Sequence, residues 1–261
     1  MLECVVNVSE GRRGAAIDAI VAAAGDELLD LHVDVHHHRS VLTLVGEAAP
    51  RAVAAAAVTH LDLRRHTGAH PRLGAVDVVP FVALDGDDDT AAAADGFAAW
   101  LGDRLRVPAF RYGGEHPGLP EVRRGAFAPL RPSAGPASPH PTAGATAVGA
   151  RPVLVAYNVW LAEPDLARAR AVARAVRGPA LRALGLRVGD RVQVSMNLVD
   201  PAAVGPAEAH DAVSALVAVA GAELVGLVPR AVLEAVPADR WERLDLSPDR
   251  TIEARLAPRR R

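Results

Sequence analysis

The sequence contains no lysine and only one cysteine, Cys4, among 261 residues. A single cysteine excludes a disulfide within the chain and also excludes a cysteine-based zinc site. Every cationic side chain other than histidine is arginine, and acidic residues slightly outnumber arginines, for a formal net charge of -2. This balance argues against nucleic acid or a membrane surface as the partner.

Long apolar runs and targeting segments are missing as well. No uninterrupted apolar stretch reaches the roughly 18 residues that a transmembrane helix needs. The first residues, MLECVVNVSEG, have no basic segment ahead of an apolar one, so we expect no signal peptide. The composition, 50% hydrophobic and 23% charged, is that of a globular protein. We therefore expect a cytoplasmic protein.

The order of predicted elements divides the chain into two halves. Apolar periodicity predicts β-α-β-β-α-β and then α-β, followed by an irregular, Pro- and Gly-rich stretch over 113–149. The pattern restarts with a strand at 151–161 and again predicts β-α-β-β-α-β, with a hairpin turn at 189–190. We predict an α+β fold of two ferredoxin-like (βαββαβ) subdomains, 1–150 and 151–261, with mixed sheets and a ligand cleft between them.

The segment RRHTGAHPRLG carries two histidines, His66 and His70, four residues apart. A two-histidine helical metal site is disfavoured because Gly68 and Pro71 oppose a helix and because no glutamate follows His66. Two interpretations then stay open. The histidines are solvated residues of a polar turn, or one is a general base with Arg72 nearby to bind an anionic substrate.

A second histidine cluster lies in HVDVHHHRS. If the chain is extended there, His32, Asp34, His36 and His38 share one face, and their side chains have the ligand chemistry for a divalent metal. The alternatives are a strand end that faces solvent and a polar cleft in which Asp34 and Arg39 act on a substrate. We favour the cleft over metal binding.

The stretch GPASPHPTAGATAVGAR, residues 135–151, is rich in small residues and proline. It contains neither the phosphate-loop motif nor the dinucleotide-binding fingerprint. Composition leaves two interpretations, a pre-shaped surface for a flat ligand and a plain interdomain linker.

Six segments, in the same order, resemble the glutamate formiminotransferase family: ECVVNVSEGR, LLDLHVDVHHHRSVLTLVG, RHTGAHPRLGAVDVVPF, GATAVGARPVLVAYNVWL, QVSMNLVD and LVGLVP. The third is the most specific, and the resemblance covers nearly the whole chain. It implies a stand-alone transferase of one-carbon groups that acts in histidine catabolism. Such an enzyme moves a formimino group from N-formimino-L-glutamate to tetrahydrofolate, giving 5-formiminotetrahydrofolate and glutamate. The resemblance also implies a homodimer and no metal.

The resemblance also assigns residues. It makes His70, immediately before Pro-Arg, the catalytic base, and Asp34 is a hypothetical orienting partner for it. Arg39 and Arg72 are candidates for binding the substrate carboxylates, and Asn7 is a candidate for a hydrogen bond to the substrate. The folate-contacting segment of the family corresponds to Gly135, Pro136, Ala137, Ser138, Pro139, His140, Pro141, Thr142, Ala143 and Gly144.

Several positions depart from the family pattern. Ala69 stands where glutamate is usual, His38 stands where asparagine is frequent, and the folate segment lacks the aromatic residues often found there. Two alternative functions therefore stay open: formyl transfer between a folate and glutamate or a related donor, and a non-catalytic module that binds folate, another small molecule or a metal. Structural ion pairs for the two arginines and a capping role for Asn7 are further alternatives.

Overall fold

The computed structural model describes residues 1–68, 72–86 and 88–260, without the side chains of residues 259 and 260. The chain divides into two compact units, Met1–Pro152 and Val153–Arg261. Helices and sheets occur in both units, so the predicted α+β class is confirmed. None of the helices in the described part of the chain is both long and apolar enough to cross a lipid bilayer.

The first unit begins with the predicted β-α-β-β-α-β order and then adds further elements. Its helices and strands are β1 (Leu2–Val8), α1 (Gly14–Ala24), β2 (Leu28–Asp34), β3 (Arg39–Val45), α2 (Ala48–His60), β4 (Val76–Ala83), α3 (Thr90–Arg104), β5 (Ala109–Tyr112), α4 (Leu119–Gly125) and β6 (Thr146–Ala150). In the described residues they build a six-stranded sheet of order β2-β3-β1-β4-β6-β5. β1 is antiparallel to both of its neighbours, whereas β6 is parallel to β4 and β5, so this sheet is mixed.

The core of the first unit combines a β-branched sheet face with small-residue helices. In β1 the side chains of Cys4, Val6 and Val8 point to the same buried face, as the period of two requires. They belong to one cluster with the buried faces of the helices, such as Val53 and Ala54 of α2. Alanine on the helix face lets the helix backbone approach the sheet closely, so the unit packs densely with few aromatic side chains.

The register brings the termini of several strands to the same end of this sheet, where the strands begin or end. Val8, at the end of β1, is opposite Ser40 of β3 and Val76 of β4. Asp34 and Arg39, the last residue of β2 and the first of β3, are also paired there. Because β6 is parallel to β4, the start of β6 lies at the same edge. We call this the active edge; it is formed by the end of β1, the β2–β3 turn and the starts of β4 and β6.

The prediction of an irregular stretch over 113–149 is wrong at two points, since α4 and β6 lie in or extend into it. β6 reads TAVGA, whose small residues carry little strand signal. It is a strand because β4 and β5 pair with it on both sides. A side chain at Gly149 would place its Cβ 2.5 Å from the Tyr112 carbonyl oxygen, so only glycine fits between these strands. The strand predicted from residue 151 begins at Val155.

The second unit repeats the β-α-β-β-α-β order with β7 (Val155–Leu161), α5 (Leu166–Val176), β8 (Leu181–Val188), β9 (Arg191–Leu198), α6 (Pro206–Ser214) and β10 (Val219–Val225). Its strands have the order β10-β7-β9-β8, and each of these pairs is antiparallel. The predicted hairpin turn at 189–190 is confirmed, with Gly189 at a φ of 63°. Two short helices, α7 (Arg230–Glu234) and α8 (Ile252–Leu256), follow.

Local signals explain the elements of the second unit. The Asp165 side chain accepts the Arg168 backbone N–H at 2.9 Å and caps α5. Helical spacing then puts Ala169, Val172 and Ala173 on the buried face. The Tyr157 hydroxyl donates to the Leu244 carbonyl at 2.8 Å, which ties the C-terminal segment to β7.

Two glycines of α3 provide a matched test of this packing. At Gly102 an added Cβ would lie 2.5 Å from the Gly135 nitrogen, whereas at Gly96 the nearest atom is the end of the Arg51 side chain at 3.7 Å. We expect Gly102→Ala to lower the free energy of unfolding by about 1–3 kcal/mol through overpacking. Gly96→Ala should raise it by about 0.5–1 kcal/mol, because alanine favours the helix. Urea unfolding of both variants checks this; equal effects at the two positions would contradict the close approach at Gly102.

Candidate active site

The Glu10 carboxylate lies at the active edge, directly after β1, and is 1% exposed. Its Oε1 accepts the backbone N–H groups of Gly11, Arg12 and Arg13 at 3.1, 2.9 and 3.0 Å, and its Oε2 accepts Arg13 Nε at 2.6 Å. Burial alone would raise the pKa of Glu10. The hydrogen bonds from Arg13, Arg12 and His38 outweigh burial and lower the pKa to about 2. Glu10 is therefore ionised at neutral pH.

The β2–β3 turn contacts the Glu10 carboxylate through His38. Asp34 accepts the backbone N–H groups of His36 and His37 at 2.8 and 2.7 Å, and its Oδ2 is 2.6 Å from His37 Nδ1. Burial raises the pKa of Asp34, but the bonds to His37 dominate and lower it to about 2. His38 follows with a φ of 53°, in the left-handed region. The extended conformation that would put His32, Asp34, His36 and His38 on one face holds only as far as Asp34, where β2 ends, because the aspartate bends the chain.

His38 joins the turn to the segment 66–68. Its Nε2 is 2.9 Å from Glu10 Oε1 and its Nδ1 is 2.9 Å from the Thr67 carbonyl oxygen. Its ring stacks on that of His66, with centroids 4.0 Å apart and planes inclined by 12°. The contact is reinforced by His66 Nε2, which is 3.1 Å from the His38 carbonyl oxygen. A Cβ at Gly68 would lie 2.7 Å from the His37 carbonyl oxygen, so the two segments touch through backbone.

His66 is held in a positively charged environment. Burial lowers its pKa below the ordinary value and outweighs the hydrogen bond to the His38 carbonyl, and the charge of Arg72 lowers it further. Arg72 donates to the carbonyl oxygens of His66 at 3.2 Å and of Gly68 at 3.4 Å. These contacts hold Arg72 against the described part of RRHTGAHPRLG, residues 64–74, which we call the histidine segment. Because the pKa of His66 is lowered, its neutral form is favoured at physiological pH.

A second group of charges surrounds Asp77, which is 1% exposed at the start of β4. Its Oδ2 is 2.7 Å from Arg123 of α4 and 3.3 Å from Arg39 of β3, and its Oδ1 accepts the Leu73 N–H at 2.8 Å. Asn7 Oδ1 accepts from Arg39 Nε and Nη2 at 3.0 and 2.6 Å. Burial lowers the pKa of Arg39, and Asp77 opposes that effect. Arg39, Arg123 and Asp77 together carry one net positive charge, counted over these three described side chains.

The segment 135–144 reaches the same edge. Gly135 and Gly144 both have positive φ, 82° and 67°. His140 and Gly144 exchange two backbone hydrogen bonds at 2.8 and 2.9 Å, and the Thr142 carbonyl accepts the Leu63 N–H at 2.8 Å. Residues 137–139 between these anchors are exposed. The segment is thus a constrained loop of the first unit, and Leu63 connects it to the histidine segment.

The structure brings together Asn7, Asp34, Arg39 and Arg72 at one edge with the loop 135–144. Asp34 contacts His37 there. His70, with Ala69 and Pro71, lies outside the described residues. Within the part of the chain that the structure describes, no three His, Cys, Asp or Glu side chains are grouped to hold a metal ion.

Sequence reasoning missed three contributors, Glu10, Asp77 and Arg123. Glu10 and Asp77 had a weak signal, since each is an acidic residue beside a hydrophobic strand, in VVNVSEG and AVDVVPF. Arg123 had none, because it lies on the helix α4 that the sequence did not reveal. His38 was noted as a possible metal ligand and as a departure from the family pattern, and its contacts with Glu10 and His66 depend on the left-handed turn.

Comparison with known proteins adds evidence that is independent of the site geometry. Residues 1–151 match the model of the formiminotransferase domain, N-terminal subdomain. A glutamate formimidoyltransferase of Streptococcus pyogenes serotype M1 is 37% identical over 233 residues, 77% of this chain and 78% of the relative. One of Thermoplasma acidophilum is 31% identical over 272 residues, 89% of each chain. A formimidoyltransferase-cyclodeaminase of Sus scrofa is 34% identical over 90% of this chain, which spans about half of that relative, 51%.

The lowered pKa of Glu10 predicts a pH-dependent stability. A carboxyl group whose pKa falls on folding stabilises the fold above its unfolded pKa, and this stabilisation is lost as the pH falls through the folded pKa. For Glu10 that window runs from 4.5 down to about 2. At pH 7, Glu10→Gln should lower the free energy of unfolding by about 2–3 kcal/mol.

Urea unfolding between pH 3 and pH 7 measures the difference, which should shrink as the pH falls below about 4.5. Glu115→Gln makes the same change of charge at an exposed position and is the control. A destabilisation of Glu10→Gln that is constant over this pH range would contradict the assignment of an ionised, hydrogen-bonded carboxylate.

Proposed function

Because this chain belongs to the formiminotransferase family, we propose that it is a folate-dependent glutamate formimidoyltransferase. It moves the formimino group of N-formimino-L-glutamate to tetrahydrofolate and releases glutamate. The observation that carries the proposal is the convergence, at one edge of the first sheet, of the histidine segment, the arginine group and the loop 135–144. These are the parts that a base, a carboxylate clamp and a folate-binding surface require.

His70 is the proposed general base. The secondary amine of the reduced pterin loses a proton when it attacks the amidine carbon, and the leaving glutamate nitrogen gains one. A neutral imidazole can accept the first proton and return it to the leaving group. His70 is two residues from Gly68 and two from Arg72 in the sequence. Gly68 lies against the His37 carbonyl of the β2–β3 turn, and Arg72 donates to the Gly68 carbonyl at 3.4 Å. Asp34 is the proposed orienting partner of His70.

Both substrates are carboxylates, and the electropositive group at Asp77 supports their binding at this edge. Arg39 is held by Asn7 and Asp77, so its guanidinium is fixed before a substrate arrives. A pre-ordered guanidinium loses less side-chain entropy on binding an anion than a mobile one does. Arg72 lies beside His66 and gives a second positive charge. Arg39, Arg72 and Asn7 are therefore the proposed substrate-binding residues.

The loop Gly135 to Gly144 is the proposed folate-contacting surface. Its anchored ends and exposed middle support this role, because a constrained loop pays little entropy when a flat ligand lies against it. Tetrahydrofolate is a co-substrate, consumed in each turnover. The two units, predicted as 1–150 and 151–261, are proposed to be the N- and C-terminal formiminotransferase subdomains. A cytoplasmic location, which is expected from the sequence, and a homodimer, which the family resemblance implies, complete the proposal.

Turnover by the purified protein tests the proposal directly. Formiminoglutamate and tetrahydrofolate are mixed with the protein, the reaction is quenched in acid, and the methenyl-tetrahydrofolate that the formimino adduct forms is measured. We expect turnover by the native chain and a loss of about 10²–10⁴-fold in His70→Ala, the usual contribution of general base catalysis. His116→Ala removes an exposed histidine of the same unit and should keep full activity.

The alternatives give different results. Turnover with formylglutamate but not with formiminoglutamate would replace the proposed reaction by formyl transfer. Tetrahydrofolate binding without turnover of either donor would favour a non-catalytic binding module. Full activity of a folded His70→Ala variant would reject His70 as the base.

A further inference from the structure

The protonation state of His38 follows from its two hydrogen-bond partners. Nδ1 faces the carbonyl oxygen of Thr67, which has no proton to give, at 2.9 Å. Nε2 faces Glu10 Oε1 at 2.9 Å. The same oxygen accepts three backbone N–H groups, and Arg13 occupies the other carboxylate oxygen. A carboxyl group in that environment is ionised and cannot donate either.

Both ring nitrogens of His38 must therefore act as donors, and only the imidazolium has two N–H groups. A neutral ring would leave one nitrogen lone pair against an oxygen lone pair inside a buried contact, which is costly. His38 is itself buried, so water does not substitute for either partner. The two contacts therefore indicate an imidazolium whose N–H groups donate to the Glu10 carboxylate and to the Thr67 carbonyl.

This charge has a consequence for His66, whose ring stacks on His38 at 4.0 Å. Two imidazolium rings at that distance repel each other strongly in a partly buried site, so the stack accommodates one positive charge and not two. The other charged or titratable groups that line the depression around the pair are His37, Arg39 and Arg72. Among them Arg72 also opposes a charge on His66, whereas the Glu10 carboxylate beside the pair favours one.

His66 then has a defined tautomer. Its Nε2 faces the carbonyl oxygen of His38 at 3.1 Å and must carry the proton. The lone pair of a neutral His66 therefore lies on Nδ1. That atom is buried and has no hydrogen-bond partner among the residues that the structure describes. A buried acceptor without a partner costs free energy. A ligand or a reacting group that donates to His66 Nδ1 would remove this cost.

We propose that His38, as an imidazolium that donates to Glu10 and to the Thr67 carbonyl, is a positioning residue, which fixes segment 66–68 and keeps His66 neutral with its Nδ1 available to accept a proton or hydrogen bond from a substrate. This inference deepens the proposed function and rests on it where activity is concerned. It adds a second imidazole to the site besides His70. The protonation states of His38 and His66 are measurable whether or not the chain transfers a formimino group.

The first test reads the imidazole nitrogens directly. ¹⁵N NMR of the full-length protein at pH 7.5, without substrates, should show His38 with two N–H groups and His66 as the neutral Nε2–H tautomer. In His38→Asn, which retains an N–H donor but has no charge, the titration of His66 should move to higher pH by about one unit. A neutral His38 in the native protein, or an unmoved titration of His66, would overturn the inference.

The second test is the pH profile of kcat/KM for formimino transfer. His66, like the proposed base His70, acts in its neutral form, so activity is lost on the acidic side as either imidazole gains a proton. In His38→Asn the part of this limb that is due to His66 should move to higher pH by about one unit. His66→Ala should lower kcat/KM across the whole profile by about 10–100-fold, since both the ring and its positioning are lost.

His116→Asn, the same substitution at an exposed histidine, is the control and should leave the profile unchanged. Folding of each variant is checked by urea unfolding, so loss of structure is not mistaken for loss of function. If the NMR predictions hold and no formimino transfer is detected, the proposed function fails and the charge assignment stands. If transfer is detected but neither the NMR titration of His66 nor the acidic limb moves in His38→Asn, the positioning role is rejected and the proposed function stands.

Discussion

The Glu10 carboxylate joins four parts of the first unit at a single buried point. It follows β1, accepts the backbone N–H groups that precede α1, and contacts His38 of the β2–β3 turn, which in turn contacts Thr67. Gly11 beside it lies so close to the turn that an added Cβ would be 2.2 Å from the Asp34 carbonyl oxygen. A neutral side chain at position 10 would satisfy fewer of these donors. The geometry of the active edge therefore depends on one ionised carboxylate.

The sequence predicted the architecture well because its signals are local. Apolar alternation, the hairpin at Gly189 and the β-α-β-β-α-β order all agree with the structure. It failed where tertiary contacts override local preference. β6 is a strand of small residues that pairs on both sides. This pairing is not visible in composition or periodicity.

The candidate site was predicted in part for the same reason. Motif residues such as Asn7, Arg39 and Arg72 are recognisable from their segments, and the structure gathers them at the active edge. Asp77 and Glu10 were not predicted as site residues, because a single acidic residue next to a hydrophobic strand is common and usually faces solvent. Their importance appears only once burial and partners are known, since each is about 1% exposed and hydrogen-bonded at both oxygens.

These buried carboxylates also determine how the charge of the site responds to pH. Glu10 is ionised well below neutral pH, and Asp77 has Arg39 and Arg123 as partners. Arginine does not titrate in the physiological range. Under the proposed function, the field of the arginines that would attract a carboxylate substrate is thus constant over that range, while proton transfer is assigned to the imidazoles. With the tasks separated in this way, the proposed site could change the protonation of its histidines while two arginines continue to face the Asp77 carboxylate, in a chain whose formal net charge is -2.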